Sequence, residues 1–239
     1  MNLHPLDELL QDRCPTLMVP RYADLPAMTE AGHRYLMAAD GLYIEVLRPW
    51  LHLRMLISGN NGFSFPYGAI EPVFNLRFTG EALRASLTRF MHEAAIAAPK
   101  ESAGWLMFNP KSGQLSFHRP ELLSQGNAHV HYLRPEVRED SQPVVDCHSH
   151  GHIPAFFSGE DDQDDLADDL KISFVFGSLD SDNPSVAMRL VGLGGINFDL
   201  TLWLEQLIPN TSVGFSYSGC IAQYNGIESD HADQQQPHH

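Results

Sequence analysis

Four residues at fixed offsets constrain this chain more than any other feature. His148 and His150 stand two apart, Ser158 follows after seven residues, and Asp161 after two more. The segment that carries the histidines, PVVDCHSH, reads as a strand. Side chains alternate across a strand, so His148 and His150 share a face, and two imidazoles so placed can hold one metal ion. SGEDDQDDLADDL reads as a helix, with Ser158 as its cap and early carboxylates at the positive end of its dipole. Asp161 falls in the first turn, eleven residues after His150, and a loop of that length can return its carboxylate to the same ion. Two histidines and one aspartate leave the fourth tetrahedral position of Zn²⁺ to water, which distinguishes a catalytic zinc site from a structural one.

Zinc lowers the pKa of water towards ~7 and polarises a carbonyl oxygen. Hydrolysis then needs a base to take a proton from water and hand it to the leaving group. Glu101 is the candidate, at the opening of a strand that follows a helix. Ser158 offers a hydroxyl to an oxyanion. A bare His-x-His pair is a weak signal in a chain with 13 histidines, whereas four required residue types at fixed offsets are a strong one.

The spacing resembles the JAMM motif of the JAB/MPN metallopeptidase family, which includes deubiquitinating isopeptidases. That motif runs His-x-His, seven residues, Ser, two residues, Asp, and His148, His150, Ser158 and Asp161 fill it. Glu101-Ser102-Ala103-Gly104 resembles the upstream E-x-x-G of the family. The resemblance implies zinc on His148, His150 and Asp161, Glu101 as general base and Ser158 at the oxyanion. It also implies a cytidine deaminase-like α/β fold, a mixed sheet flanked by helices. One departure stands out: Gly151 and then His152 follow the second histidine, where many isopeptidases carry Pro or a small hydroxyl residue. On a strand that continued, His152 would share the face and close the zinc site, but Pro154 argues against continuation.

The whole chain also resembles the protein A family of the PRTRC system, a bacterial, often plasmid-borne cassette. That family is associated with an E1-like adenylating protein and a ubiquitin-like protein. The resemblance implies a ubiquitin-like protein, or a conjugate of it, as substrate, and the E1-like protein as a further partner.

The remaining sequence sets the frame. The spacing of Leu83, Leu87, Phe90, Met91 and Ala94 predicts a helix over 81–97, capped by Thr79. Asp40-Gly41 between two apolar runs predicts a hairpin, LHLRMLIS another strand, and NNGFSFPYG a loop. ESAGWLMF, LSFHR, AHVHYL, ISFVFGS and SVAMRLVGL read as strands, and FDLTLWLEQL is ambiguous between strand and helix. The expected organisation is an N-terminal strand-rich region over 1–70, the JAB/MPN-like domain over 71–224 and a polar, disordered tail over 225–239. Trp50, Trp105 and Trp203 are expected in the core, and Cys147 on the strand face opposite His148. The seven carboxylates of 160–169 lack EF-hand spacing and read as a solvated helix face.

A net charge of −15 argues against nucleic acid and anionic membranes as partners. No apolar run reaches the ~18 residues of a membrane helix. Three scattered cysteines suggest no disulfide framework, and no secretory leader is apparent, so a cytoplasmic location is expected. Two other readings stand beside the metallopeptidase. One is a non-catalytic MPN-type scaffold for cassette partners. The other is a zinc hydrolase acting on a small amide.

Overall fold

The structure, a computed structural model, describes residues 3–166 and 168–200. Trp203, Cys220, the rest of the expected domain to 224 and the 225–239 tail lie outside the described residues.

The chain opens with helix α1 (Pro5–Arg13), started by His4, whose ring accepts from the Leu6 N–H. Strands β1 (Thr16–Met18), β2 (Gly32–Met37), β3 (Gly41–Arg48), β4 (Leu51–Gly59) and β5 (Val73–Leu76) then form one sheet in sequential order. β1 lies parallel to β2, and the remaining pairs are antiparallel. The hairpin expected at Asp40-Gly41 is the β2–β3 turn, and LHLRMLIS is β4.

Helix α2 (Gly80–Ala97) follows, with Thr79 as cap: its hydroxyl accepts from the Ala82 N–H. Its stripe of Leu83, Leu87, Phe90 and Ala94 is buried, as the period of four dictates. Next come β6 (Ala103–Phe108), β7 (Leu115–His118), the hairpin β8 (Leu122–Gln125) and β9 (Val130–Tyr132), and β10 (Gln142–Ser149). Helix α3 (Gly159–Leu166) leads to β11 (Lys171–Gly177), β12 (Ser185–Gly192) and β13 (Ile196–Asp199). The second sheet has the order β13-β12-β11-β10-β6-β7. Only β10 and β11 are parallel among its pairs, because α3 carries the chain back across the sheet between them. This is the mixed α/β architecture expected from the sequence. The ambiguous segment after Gly195 begins as strand β13.

Both sheets contribute to one large apolar core, beside a smaller cluster of Val19, Leu36, Ala38 and Tyr43. Ile44, Val46, Leu51 and Leu53 of the first sheet join the α2 stripe and Leu106, Phe174 and Phe176 of the second. Phe78 sits at the junction, its ring 6.4 Å from Trp50 and 6.1 Å from Phe108. Arg48 adds a polar link, pairing with Asp169 at 2.8 Å. The first sheet therefore extends through β5, beyond residue 70, and closes against the second.

The two faces of the second sheet differ. Cys147, Ile172, Phe174 and Phe176 belong to the apolar core. The opposite face of the same strands carries Asp146, Lys171, Ser173 and Arg189, all buried. Cys147 thus occupies the core side expected for it, and full burial holds its thiol well above its ordinary pKa.

Candidate metal centre

β10 delivers the histidines. It ends at Ser149, but the His150 N–H still donates to the Phe176 carbonyl at 2.8 Å, so both rings leave the same side. Their centroids lie 5.2 Å apart. The site therefore sits where β10 ends and the crossover to its parallel neighbour begins, a common place for ligand sites in α/β sheets.

Gly151 then turns the chain. Its φ is +56°, and a Cβ there would stand 2.5 Å from the Pro99 carbonyl oxygen. Both facts demand glycine. The turn also disposes of His152: its side chain is 47% exposed and lies 3.9 Å from Asp180, and it is not part of the metal-capable group.

α3 delivers the aspartate. Ser158 caps the helix and Asp161 reciprocates, in the manner of a capping box. The Asp161 N–H donates to Ser158 Oγ at 3.2 Å. Asp161 Oδ2 accepts from the Ser158 N–H at 2.6 Å and from its hydroxyl at 2.7 Å. The other oxygen, Oδ1, lies 3.4 Å from His148 Nε2. One ligand atom from each of His148, His150 and Asp161 lies within 4.8 Å of the others. His148 Nε2 is buried and has no hydrogen-bond partner. A buried ring nitrogen without a partner is costly unless something occupies it, and a divalent cation among these three donors does so. Two imidazoles and a carboxylate suit Zn²⁺ by ligand type.

Burial and the neighbouring His148 hold His150 below its ordinary pKa, against Asp161 and a hydrogen bond with the Pro154 backbone. The ring is therefore neutral near pH 7, the form that ligates a metal. Phe156 stands edge-on to it at 4.5 Å and is half exposed.

Glu101 lies two residues before β6 rather than at its first residue. Four hydrogen bonds place it. Its N–H donates to the Gly126 carbonyl at 2.8 Å, and its carbonyl accepts from Gln125 Nε2 at 2.7 Å. The next residue, Ser102, donates its N–H to Ser149 Oγ at 2.9 Å, and the Ser149 N–H returns to the Ser102 carbonyl at 2.9 Å. Burial pushes the Glu101 carboxyl up to about 7, and the charges of Asp161 and Glu160 add to the shift. The Asp161 charge contributes to that shift, which sets Glu101 near the trio, and a pKa near neutrality suits a proton carrier. Gly104, the last residue of the E-x-x-G pattern, is needed for packing: a Cβ there would meet Phe117 at 2.7 Å and Phe90 at 2.8 Å.

The structure thus gathers His148, His150 and Asp161, places Ser158 against Asp161, and sets Glu101 within their electrostatic reach. Ser158 has one hydroxyl proton and spends it on Asp161 Oδ2, so an oxyanion would have to compete for it. Three functional positions escaped the sequence reading. Ser149, the middle residue of His-x-His, ties the Glu101 segment to β10. Gln125 and Gly126, in the β8–β9 hairpin, hold the Glu101 backbone. Their signals are long-range pairings that no local pattern announces.

The acidic run is only in part the solvated face expected of it: Glu160, Asp164 and Asp169 are exposed. Asp165 is 5% exposed and pairs with Lys171 at 2.8 Å and Arg189 at 2.6 Å. The run is not one surface, because its inner members face cations on β11 and β12.

Comparison with known families adds two matches. Residues 4–77 match a domain of unknown function (DUF2016). Residues 83–191 match the family described as prokaryotic homologs of the JAB domain. The second match runs from within α2 through most of β12, and so includes every candidate site residue. It supports kinship with the JAB/MPN family for that segment. No match was found among curated proteins.

Proposed function

We propose that this protein is a zinc-dependent metallopeptidase of the JAMM type, built on a segment similar to JAB-domain homologues. The observation that carries the reading is the unpartnered, buried His148 Nε2, facing Asp161 Oδ1 at 3.4 Å beside His150. His148, His150 and Asp161 would hold the ion. When bound, Zn²⁺ supplies a Lewis acid for the scissile carbonyl and acidifies water.

The chain's own groups do the rest. Glu101 takes the proton from the attacking water and delivers it to the leaving nitrogen, a task its raised pKa suits. Ser158 fixes Asp161 and, turned away from it, donates to the oxyanion. Phe156 and Ile153, both half exposed beside His150, give a substrate chain an apolar surface. By resemblance to the PRTRC protein A family, the substrate is a ubiquitin-like protein or its conjugate, with an E1-like protein as partner.

The test is metal analysis with hydrolysis of such a conjugate. We expect one zinc per chain, and we expect Glu101→Gln to abolish hydrolysis while keeping the zinc. Full activity in that variant would remove Glu101 as the base. A protein that takes up no zinc and is indifferent to chelators would favour the scaffold reading instead.

A further inference from the structure

We propose that Arg189 and Lys171, two buried cations on the sheet beneath α3, are positioning residues for the metal site: they seat α3 so that Asp161 meets His148 and His150. This rests on the metal reading of that trio and not on peptide hydrolysis.

α3 is short and strongly acidic, so its placement depends on what the sheet offers its carboxylates. It is eight residues long, well short of the ~12–15 that persist alone, and its sequence GEDDQDDL holds one apolar residue. Among the described side chains its ties to the sheet are mainly ionic, with Ser173 Oγ donating a further hydrogen bond to Asp165 Oδ2 at 3.1 Å. Arg189 donates from Nε and Nη2 to Asp165 Oδ2 at 3.1 and 2.6 Å, and from Nη1 to Asp162 Oδ1 at 2.5 Å. Lys171 Nζ reaches Asp165 Oδ1 at 2.8 Å, Asp168 Oδ2 at 2.8 Å and Asp146 Oδ2 at 3.0 Å. Both cations have side chains only 3% exposed. Asp165 stands one helical turn beyond Asp161, on the same side of α3. Asp162 is the residue next to it. Anchoring these two therefore fixes the rotation and height of the Asp161 carboxylate.

Arg189 does more than anchor the helix. The Phe157 ring lies 3.9 Å from its guanidinium carbon, and Phe157 immediately precedes the cap residue Ser158. One guanidinium thus holds the end of the loop and the first turns of α3 together. Its planar fork makes two directed contacts that a lysine ammonium cannot reproduce. Groups that hydrogen-bond a metal ligand directly commonly set metal affinity by about 10–100-fold, and Arg189 acts on the same ligand through its helix.

The experiment is Co²⁺ and Zn²⁺ titration of the full chain, with the visible Co²⁺ spectrum as a report on ligand geometry. For Arg189→Met we expect metal affinity to fall about tenfold or more and the Co²⁺ bands to shift, with Arg189→Lys recovering only part. Glu45→Gln is the control. It breaks a buried ion-pair cluster in the first sheet, where Arg34 and Arg54 both reach Glu45 at 2.6 Å. That variant should lose thermal stability while keeping metal affinity and spectrum. If Arg189→Met does not fold, Asp162→Ala removes one half-exposed tether and should move both readouts in the same direction by a smaller factor. Unchanged affinity and spectrum in the folded variants would overturn the proposal while leaving the metal site standing. A wild-type chain that takes up no Co²⁺ would overturn both.

Discussion

Glu101 shows at the scale of one residue how a group proposed to carry a proton costs its host stability. Its folded pKa, about 7, lies above the ordinary carboxyl value because burial and the charges of Asp161 and Glu160 oppose ionisation. The folded state therefore binds a proton that the unfolded chain has already released between those two values. Stability must fall as pH rises through that window, and it stays lowered above about 7. In metal-free protein, Glu101→Gln should raise the melting temperature at pH 8 but leave it nearly unchanged at pH 4. Equal shifts at both pH values would mean that Glu101 titrates normally. The site residues were legible to unequal degrees. His148, His150, Ser158 and Asp161 form one local pattern whose spacing states its own geometry. Ser149, by contrast, looks like filler between two histidines. Its role appears only when β10 meets the residues before β6, an encounter between positions 47 apart in sequence.

At the scale of elements, the turn after His150 is the critical joint. Gly151 must hold φ at +56° while the Pro99 carbonyl crowds the space where a side chain would begin. Gly151→Ala is expected to shift the chain on both sides of the joint, displacing His150 from one direction and the Glu101 segment from the other. The check is metal affinity together with hydrogen exchange at Ser102 and Ser149. An alanine variant with wild-type affinity and protection would show that the joint tolerates a side chain. The sequence announced most of the elements, because period and caps are local: α2 carries its stripe and Thr79, and α3 its Ser158. α1 was missed, although His4, Pro5, Asp7 and Glu8 before Arg13 have the composition of a helix start and finish. The acidic run was misjudged for the opposite reason. A string of carboxylates looks solvated until Lys171 and Arg189, strands away, are found beneath it.

At the scale of the whole molecule, the segments of the two family matches share one core and are expected to unfold together. Trp50 and Phe78 stack across the junction, and the α2 stripe shares its core with β3 and β4. Trp50→Ala should destabilise the protein by about 3–5 kcal/mol, the usual cost of emptying a large aromatic site. Hydrogen exchange should accelerate in β11 as much as in β3. Acceleration confined to the first sheet would mean that the two sheets unfold separately. Composition could not disclose this union, because the contacts join segments of separate sheets. Charge and hydropathy spoke only to broad class. Among the described residues no helix is long and apolar enough to cross a membrane.

The divided carboxylate of Asp161 carries a lesson about descent. One of its oxygens starts a helix by accepting from Ser158, and that task has value with or without an ion. Selection for a sound helix start alone would preserve Ser-x-x-Asp in a lineage whose chemistry had lapsed. The pair is thus a poor witness to activity when related chains are compared. Retention of Glu101 and both histidines together is the better witness, because no capping duty protects them.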